Sequence, residues 1–270
     1  MIFVAGYGQM CNNMLQFGHL YAWGKEHGVR VIALRFCYKY SFFKINTQKG
    51  YHWFTYIGAK YGARWGIIRT LEFDDAAQRL PAKLQMLRNS RFIVTSGWYL
   101  RDYEAFIRKK GELRELFSFK PSLVRRVNAI LPAAHPEEIR LGVHIRRGDY
   151  ARWQEGRYFF SDETYIDLIR SFTGNLQAKR LQILIATNDP LLSLDTYRRA
   201  LGEAVYKLSG NAGEDLYALS TCHYLMGPPS TFSLMASFYH DTPLYWISGK
   251  EQSVAIRSFR SFDYLFRHII

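Results

Sequence analysis

The feature that most restricts the fold is a set of short, nearly all-apolar runs separated by helical stretches. Leu181 to Ala186, Leu141 to Ile145 and Ile2 to Ala5 are the clearest. Runs without polar alternation belong to strands buried on both faces, as in a parallel sheet covered by helices. Parallel neighbours need a long crossover, usually a helix. Met14, Leu15, Phe17, Leu20, Tyr21 and Trp23 form such a helical stripe, Gly28 terminates it, and Val29 to Leu34 reads as the next strand. The opening is therefore a βαβ unit.

Further along, residues 91–96 read as a strand and Asp102 to Leu113 as helix. Residues 36–90 are aromatic and basic with weak periodicity. After a boundary at Phe117 to Pro121, Ser122 to Leu131 reads as helix, and Pro132 and Pro136 bracket a loop. Ser161 is a plausible N-cap, with Asp162 and Glu163 in the first turn of a helix running to about Phe172. Ala200 to Leu208 holds a helix end and a short strand. Glu214 to His223 and Thr231 to Tyr239 read as helices, Tyr224 to Met226 and Leu244 to Ile247 as strands. A length of 270 residues suits two domains. The expectation is an α/β chain with two doubly wound, Rossmann-like domains, 1–120 and 121–270.

The net charge is +13 and the pI about 9.6. Such a surplus suits a phosphorylated ligand, nucleic acid or an anionic membrane face, or is simply a basic soluble surface. The bases are spread along the chain, which argues against a nucleic-acid-binding arm. Cys11, Cys37 and Cys222 include no C-x-x-C pair and read as reduced thiols. No apolar window of about 18 residues is present, and the opening strand is too short for a signal segment. The expected location is the cytoplasm, with peripheral contact with an anionic inner leaflet as an option.

The sharpest chemical signal is Gly142-Val143-His144-Ile145-Arg146-Arg147-Gly148-Asp149-Tyr150. It ends a predicted parallel strand, the edge where open α/β sheets bind ligands. Adjacent arginines there suit a diphosphate, because guanidinium offers a planar fork of donors. The plain alternative is a surface pair bridged to Asp149.

This segment resembles the H-x-R-R-x-D motif of α-1,2- and α-1,6-fucosyltransferases and, more loosely, of protein O-fucosyltransferases. Three further segments follow the same order. Gly6-Tyr7-Gly8 with Asn13, Met14 and Gln16 is similar to that superfamily's N-terminal glycine loop and helix. Ala186 to Pro190 resembles its A-T-[ND]-D segment. Asp215 to Cys222, with Pro229 to Ser233, resembles its last block. Gly97-Trp98-Tyr99 and Phe117 to Lys120 extend the likeness more weakly, and the best match is the bacterial-type α-1,2-fucosyltransferase family. Pro229 departs from the family's Asn, and Leu234-Met235 from its Trp pair.

The resemblance implies a GT-B enzyme, two Rossmann-like domains across a cleft, with the acceptor on the N-terminal side and a GDP-sugar on the C-terminal side. It implies an inverting transfer of L-fucose from GDP-β-L-fucose to a glycan or lipid-linked glycan, without a cofactor. The donor-binding set is Gly8, Asn13, His144, Arg146, Arg147, Asn188, Asp189, Asp215, Ser230, Thr231 and Ser233. Arg146 is placed on the β-phosphate and His144 near guanine or ribose, a buried structural role being equally open. Ser230, Thr231 and Ser233 open a helix and serve either phosphate or simple capping. Asp215 suits the N–H edge of guanine, or is a first-turn helix acid.

For the base, Glu155 in the following loop is preferred. Asp149, expected beside both arginines with its carboxyl held ionised, is read as a structural partner. Tyr165 is read first as a helix core residue. No Asp-x-Asp metal motif and no His/Cys/carboxylate cluster of ligand spacing occurs, so the transfer is expected to be metal-independent, and Glu72-Phe73-Asp74-Asp75 is read as an acidic turn. Other readings are a transferase for a different nucleotide sugar, an inactive glycan-binding relative, and a basic nucleic-acid-binding protein, the last disfavoured by the lack of a recognised module.

Overall fold

The computed structural model describes residues 1–73, 80–133, 135, 137–176, 180–202, 204–249 and 253–269. Asp74, Asp75 and Pro136, named above, lie outside them. The chain divides into two compact units, Met1–Pro121 and Ser122–Ile270.

The first unit runs β1 (Ile2–Val4), α1 (Met10–Glu26), β2 (Val31–Ala33), α2 (Trp53–Arg64), β3 (Arg69–Phe73), α3 (Leu80–Asn89), β4 (Ile93–Gly97), α4 (Tyr103–Arg108) and α5 (Lys110–Leu116). Its strands form one parallel sheet in the order β2-β1-β4-β3. Gly28 adopts a left-handed φ of +65° just beyond α1, the terminator role its position predicts. The helix expected over 102–113 is two helices meeting at Lys109.

In the obscure stretch 36–90 the structure places α2, β3 and α3. The α2 periodicity is hard to read because its buried positions are small: Ala59 and Gly62 are covered, while Trp53 and Phe54 face solvent.

The second unit begins as α6 (Pro121–Asn128) ends the linker. It continues β5 (Glu138–Ile145), α7 (Asp162–Gly174), β6 (Arg180–Thr187), α8 (Leu194–Leu201), β7 (Val205–Lys207), α9 (Ala212–Ser220), β8 (Tyr224–Gly227), α10 (Thr231–His240), β9 (Leu244–Trp246) and α11 (Phe262–Phe266). The parallel order is β7-β6-β5-β8-β9. Ser161 caps α7 as expected, its hydroxyl accepting from the Thr164 N–H.

One face of this sheet packs Tyr165, Ile166, Ile169 and Phe172 of α7, with Tyr197 of α8, against Val143, Ile145, Ile183 and Ile185. Tyr165 is wholly buried there, in the core position expected of it. The central strand carries Gly142, where a Cβ would lie 2.7 Å from Leu225 Cδ2 and 2.9 Å from Leu219 Cδ2. The missing side chain lets α9 approach the sheet.

Candidate active site

The order of the second sheet fixes where its site lies. From β5 the chain moves outward through β6 and β7, then returns to the other side for β8 and β9. Loops leaving β5 and β8 therefore diverge, and the crevice between them is the ligand position of open parallel sheets. The Arg146-Arg147 loop follows β5, and Pro228 to Ser230 follow β8. Tyr150 ties the two, its hydroxyl donating to the Pro229 carbonyl at 2.6 Å.

The arginines part company. Arg146 is held by both oxygens of Asp149, each 2.9 Å from Nη2, and lies over the Tyr150 ring. Arg147 turns toward other elements: Nη2 meets Asp162 at 2.6 Å, Nη1 lies 3.8 Å from Asp189, and the guanidinium covers the Phe159 ring. This corrects the expectation that Asp149 sits against both arginines. Two carboxylates from the start of α7 and the exit of β6 hold Arg147 instead. Asn188 clamps the same loop, accepting from the Arg147 N–H at 2.7 Å and donating to its carbonyl at 3.1 Å. Asp189 turns its own loop, accepting from the Leu191 N–H at 2.9 Å. Arg147, Asn188 and Asp189 thus form the frame that fixes Arg146.

His144, at the end of β5, is buried beside Phe232, with ring centroids 5.1 Å apart. Burial, reinforced by Arg146, pulls its pKa down to about 3, so the ring is neutral. Its Nδ1 has no hydrogen-bond partner among the described residues. A buried unpaired ring nitrogen is costly and marks a place for a ligand's polar atom. Ser230 caps α10, accepting from the Phe232 N–H at 3.2 Å, and Ser233 donates to the Ser230 carbonyl. Both hydroxyls are used within the cap, so what this helix end presents to an anion is the positive end of its dipole.

Asp215 lies with Glu214 in the first turn of α9, the helix-acid position open to it, but does not make the cap. Glu214 fills that role in a capping box with Asn211 and also pairs with Arg126 at 2.6 Å. Asp215 is left facing a cavity of about 210 Å³ lined by Ile130, Leu131, Leu194, Tyr206 and Gly210, among others. Burial pushes its carboxyl up to about 7 against the pull of the Gly210 N–H, and Glu214 adds to the rise.

Glu155 is exposed in a loop where three successive residues are left-handed: Gln154 at φ +50°, Glu155 at +58° and Gly156 at +77°. Non-glycine residues in that region carry strain, which concentrates at functional sites.

The first unit has its own switch point, between β1 and β4. Gly8 (φ +60°) belongs to the loop after β1. Asn13 folds this loop from beneath, donating to the carbonyls of Tyr7, Gly8 and Gln9 at 3.1, 3.4 and 2.6 Å. Its amide nitrogen is spent on the loop itself.

Tyr7 and Trp98, one from each loop, have ring centroids 6.2 Å apart, and Arg101 stacks on Trp98 at 3.8 Å. Nη1 and Nη2 of Arg101, and both amide atoms of the buried Gln16, lack hydrogen-bond partners among the described residues. Burial draws the Arg101 pKa down to about 10, so it stays cationic at neutral pH. Arg101 carries no signal in the sequence beyond its place just after Gly97-Trp98-Tyr99. Among the described residues no three His, Cys, Asp or Glu side chains gather as a metal site, and no helix is long and apolar enough to cross a membrane.

No protein-family model matches the chain, and no curated protein sequence matches it. Solved structures do. A mutant of Arabidopsis thaliana FUT1 in complex with GDP superposes with a TM-score of 0.61 at 12% identity, over 96% of this chain and 73% of that one. NodZ α-1,6-fucosyltransferase soaked with GDP-fucose gives 0.57 at 12%, over 92% and 95%. POFUT1 in complex with GDP gives 0.58 at 12%, over 94% and 97%. The likeness runs through both units and identifies the fold as GT-B, two Rossmann-like units in one chain.

Proposed function

We propose that this chain is an inverting glycosyltransferase that moves L-fucose from GDP-β-L-fucose to a glycan hydroxyl, forming an α-1,2 linkage to a galactoside. The observation that carries the reading is the β5–β8 crevice. There a framed Arg146, a buried His144 with an open Nδ1 and the N-terminus of α10 converge at a topological switch point. The structural neighbours, crystallised with GDP or GDP-fucose, have the same fold, and the H-x-R-R-x-D motif falls at this crevice.

In this reading Arg146 takes the β-phosphate and stabilises the charge that grows on departing GDP. Asp149 orients it. The N-terminus of α10 adds its dipole to the phosphate site, His144 Nδ1 meets ribose or phosphate oxygen, and ionised Asp215 accepts from guanine N1–H and N2–H₂. Glu155 removes the acceptor proton as the acceptor oxygen bonds to C1 and the C1–O bond to GDP breaks. The positive side chains and helix terminus take the place of a metal, and no cofactor is needed. The location is cytoplasmic.

The test is GDP release from GDP-fucose with a panel of galactosides, in EDTA, with linkage analysis of the product. An α-1,2 product formed in EDTA supports the proposal. Release from another nucleotide sugar alone, or strict dependence on Mg²⁺ or Mn²⁺, overturns the donor or the metal statement respectively.

A further inference from the structure

The first unit carries most of the chain's charge. Residues 1–121 hold 19 Lys and Arg against 8 Asp and Glu, whereas residues 122–270 hold 17 against 15. Within it, from His27 to Leu71, there is no acidic residue and there are eight basic ones. This segment contains α2, which is built inside out. Its two fully buried positions, Ala59 and Gly62, are small, Tyr56 packs half-buried against the same core, and Trp53 and Phe54 look outward. Trp53 is 55% exposed, Phe54 75%, and just past the helix Trp65 is 68% and Ile67 76%.

At 3.6 residues per turn, exposed Trp53 and half-buried Ile57 and Tyr61 form one row, and the exposed Phe54, Gly58 and Trp65 fall beside it. The rings meet in pairs: Trp53 with Phe54 at 5.5 Å, Tyr61 with Trp65 at 5.4 Å. Lys60 and Arg64, both exposed, line one flank, with Lys60 lying 5.5 and 5.7 Å from the Tyr56 and Tyr61 ring centroids.

A surface helix of a globular protein normally turns its large apolar residues inward. Exposed indole and phenyl rings flanked by bases are instead the composition of a helix lying in a membrane interface, with tryptophan at headgroup depth and lysine and arginine on anionic lipid. We propose that α2 and the turn after it dock the protein on an anionic phospholipid surface. Trp53, Phe54, Trp65 and Ile67 enter the headgroup layer, and Lys60 and Arg64 meet lipid phosphates. The charge of the segment selects this occupant: a face of like-charged, acid-free chain repels a second copy of itself. Docking is independent of the transferase reading and is measurable without donor or acceptor.

The experiment is co-sedimentation of the full chain with vesicles of phosphatidylcholine alone, or of equimolar phosphatidylcholine and phosphatidylglycerol, at low and high salt. Brominated lipid reports indole insertion. The protein should pellet with the anionic vesicles at low salt, lose binding in salt or on neutral lipid, and show quenched tryptophan emission. Trp65→Ala with Ile67→Ala should weaken partition by about tenfold or more, and Lys60→Glu with Arg64→Glu by at least about fivefold per base. Circular dichroism and the melting curve should stay unchanged in both pairs, because the substituted side chains are exposed. Failure to pellet with anionic vesicles at low salt overturns the proposal, as does pelleting that neither pair weakens. A solution dimer that the Trp65 and Ile67 pair dissociates would assign the face to a second copy instead.

Discussion

The two units place a crevice at the same kind of switch point and furnish it with opposite chemistry. In the second unit the charged groups are already satisfied by one another. Arg147 is tied to Asp162 and Asp189, Asn188 holds its backbone, and Asp149 holds Arg146. In the first unit the groups are stacked but unsatisfied: Tyr7 near Trp98, Arg101 on Trp98, with the Arg101 Nη atoms and the Gln16 amide unpaired among the described residues. A framed arginine is preorganised for a small, rigid, highly charged group such as a diphosphate, since no reorganisation is needed when charge develops. Rings with open hydrogen-bonding groups suit a larger ligand with an apolar face and many hydroxyls, as a sugar has. Under the proposed function, the difference suits the second unit to donor chemistry and the first to acceptor chemistry.

The largest effect should come from the loop beyond Arg146. Glu155→Gln is isosteric and removes only proton acceptance, so kcat should fall roughly 10²–10⁴-fold with GDP binding unchanged. Steady-state kinetics beside GDP titration checks this, and a near-normal kcat would move Asp149 ahead as base. Next comes Arg146→Lys, which keeps the charge and loses the fork. The expected fall in kcat/KM is about 10²–10³-fold. Arg146→Ala should be at least as damaging and should also weaken GDP. A well-folded Arg146→Ala enzyme with normal rates would leave the two units alike in fold but erase the contrast in chemistry.

That contrast was only half legible in sequence. The long strands of the second unit, Glu138–Ile145 and Arg180–Thr187, contain the largely apolar stretches Leu141 to Ile145 and Leu181 to Ala186, which read as buried strands. Arginines at the exit of one of them are conspicuous because such residues have no place in a core. In the first unit β1 and β2 are three residues each, too short to establish a period, and α2 hides its small buried face behind exposed rings. The fate of Arg147 was also out of reach, since its partners come from elements 15 and 42 positions further on. Arg101 matters because of what it stacks on and what it lacks, and neither property is written in a single residue or its neighbours.

A third prediction tests the first unit directly. If the first unit holds the acceptor, Arg101→Ala removes a cation available to its oxygens. Acceptor KM should rise about 10- to 100-fold, the value of one or two charge-assisted hydrogen bonds. GDP affinity and the slow hydrolysis of donor without acceptor should not change. Trp98→Ala should act in the same direction and less strongly, since it removes a stacking surface rather than a charge. A loss confined to GDP affinity would move Arg101 from the acceptor to the donor.

The smallest expected effect concerns Asp215, where the sign of a pH dependence separates nucleobase recognition from mere burial. Burial holds its carboxyl at about 7 in the free protein, far above the ordinary value of 3.8. Guanine offers two donors at N1 and N2, so only the ionised carboxylate can accept both. GDP therefore binds the deprotonated form, and binding releases a proton. Affinity should rise roughly tenfold between about pH 6 and pH 8 and then level off. UDP carries the same titrating diphosphate and serves as the control: its profile should lack this increment. Asp215→Asn should flatten the GDP profile and weaken GDP at high pH. The same carboxyl acts on stability with the opposite sense. Its folded pKa is raised, so the folded state holds the proton more tightly. Its contribution is greatest below about pH 4 and is lost as pH climbs through 7. Asp215→Asn should consequently melt higher than the parent chain at pH 8 and nearly the same at pH 4. If the substitution stabilises at high pH while GDP and UDP keep identical pH profiles, Asp215 is a buried acid without a base to read. Selection of guanine would then rest with other groups of the second unit.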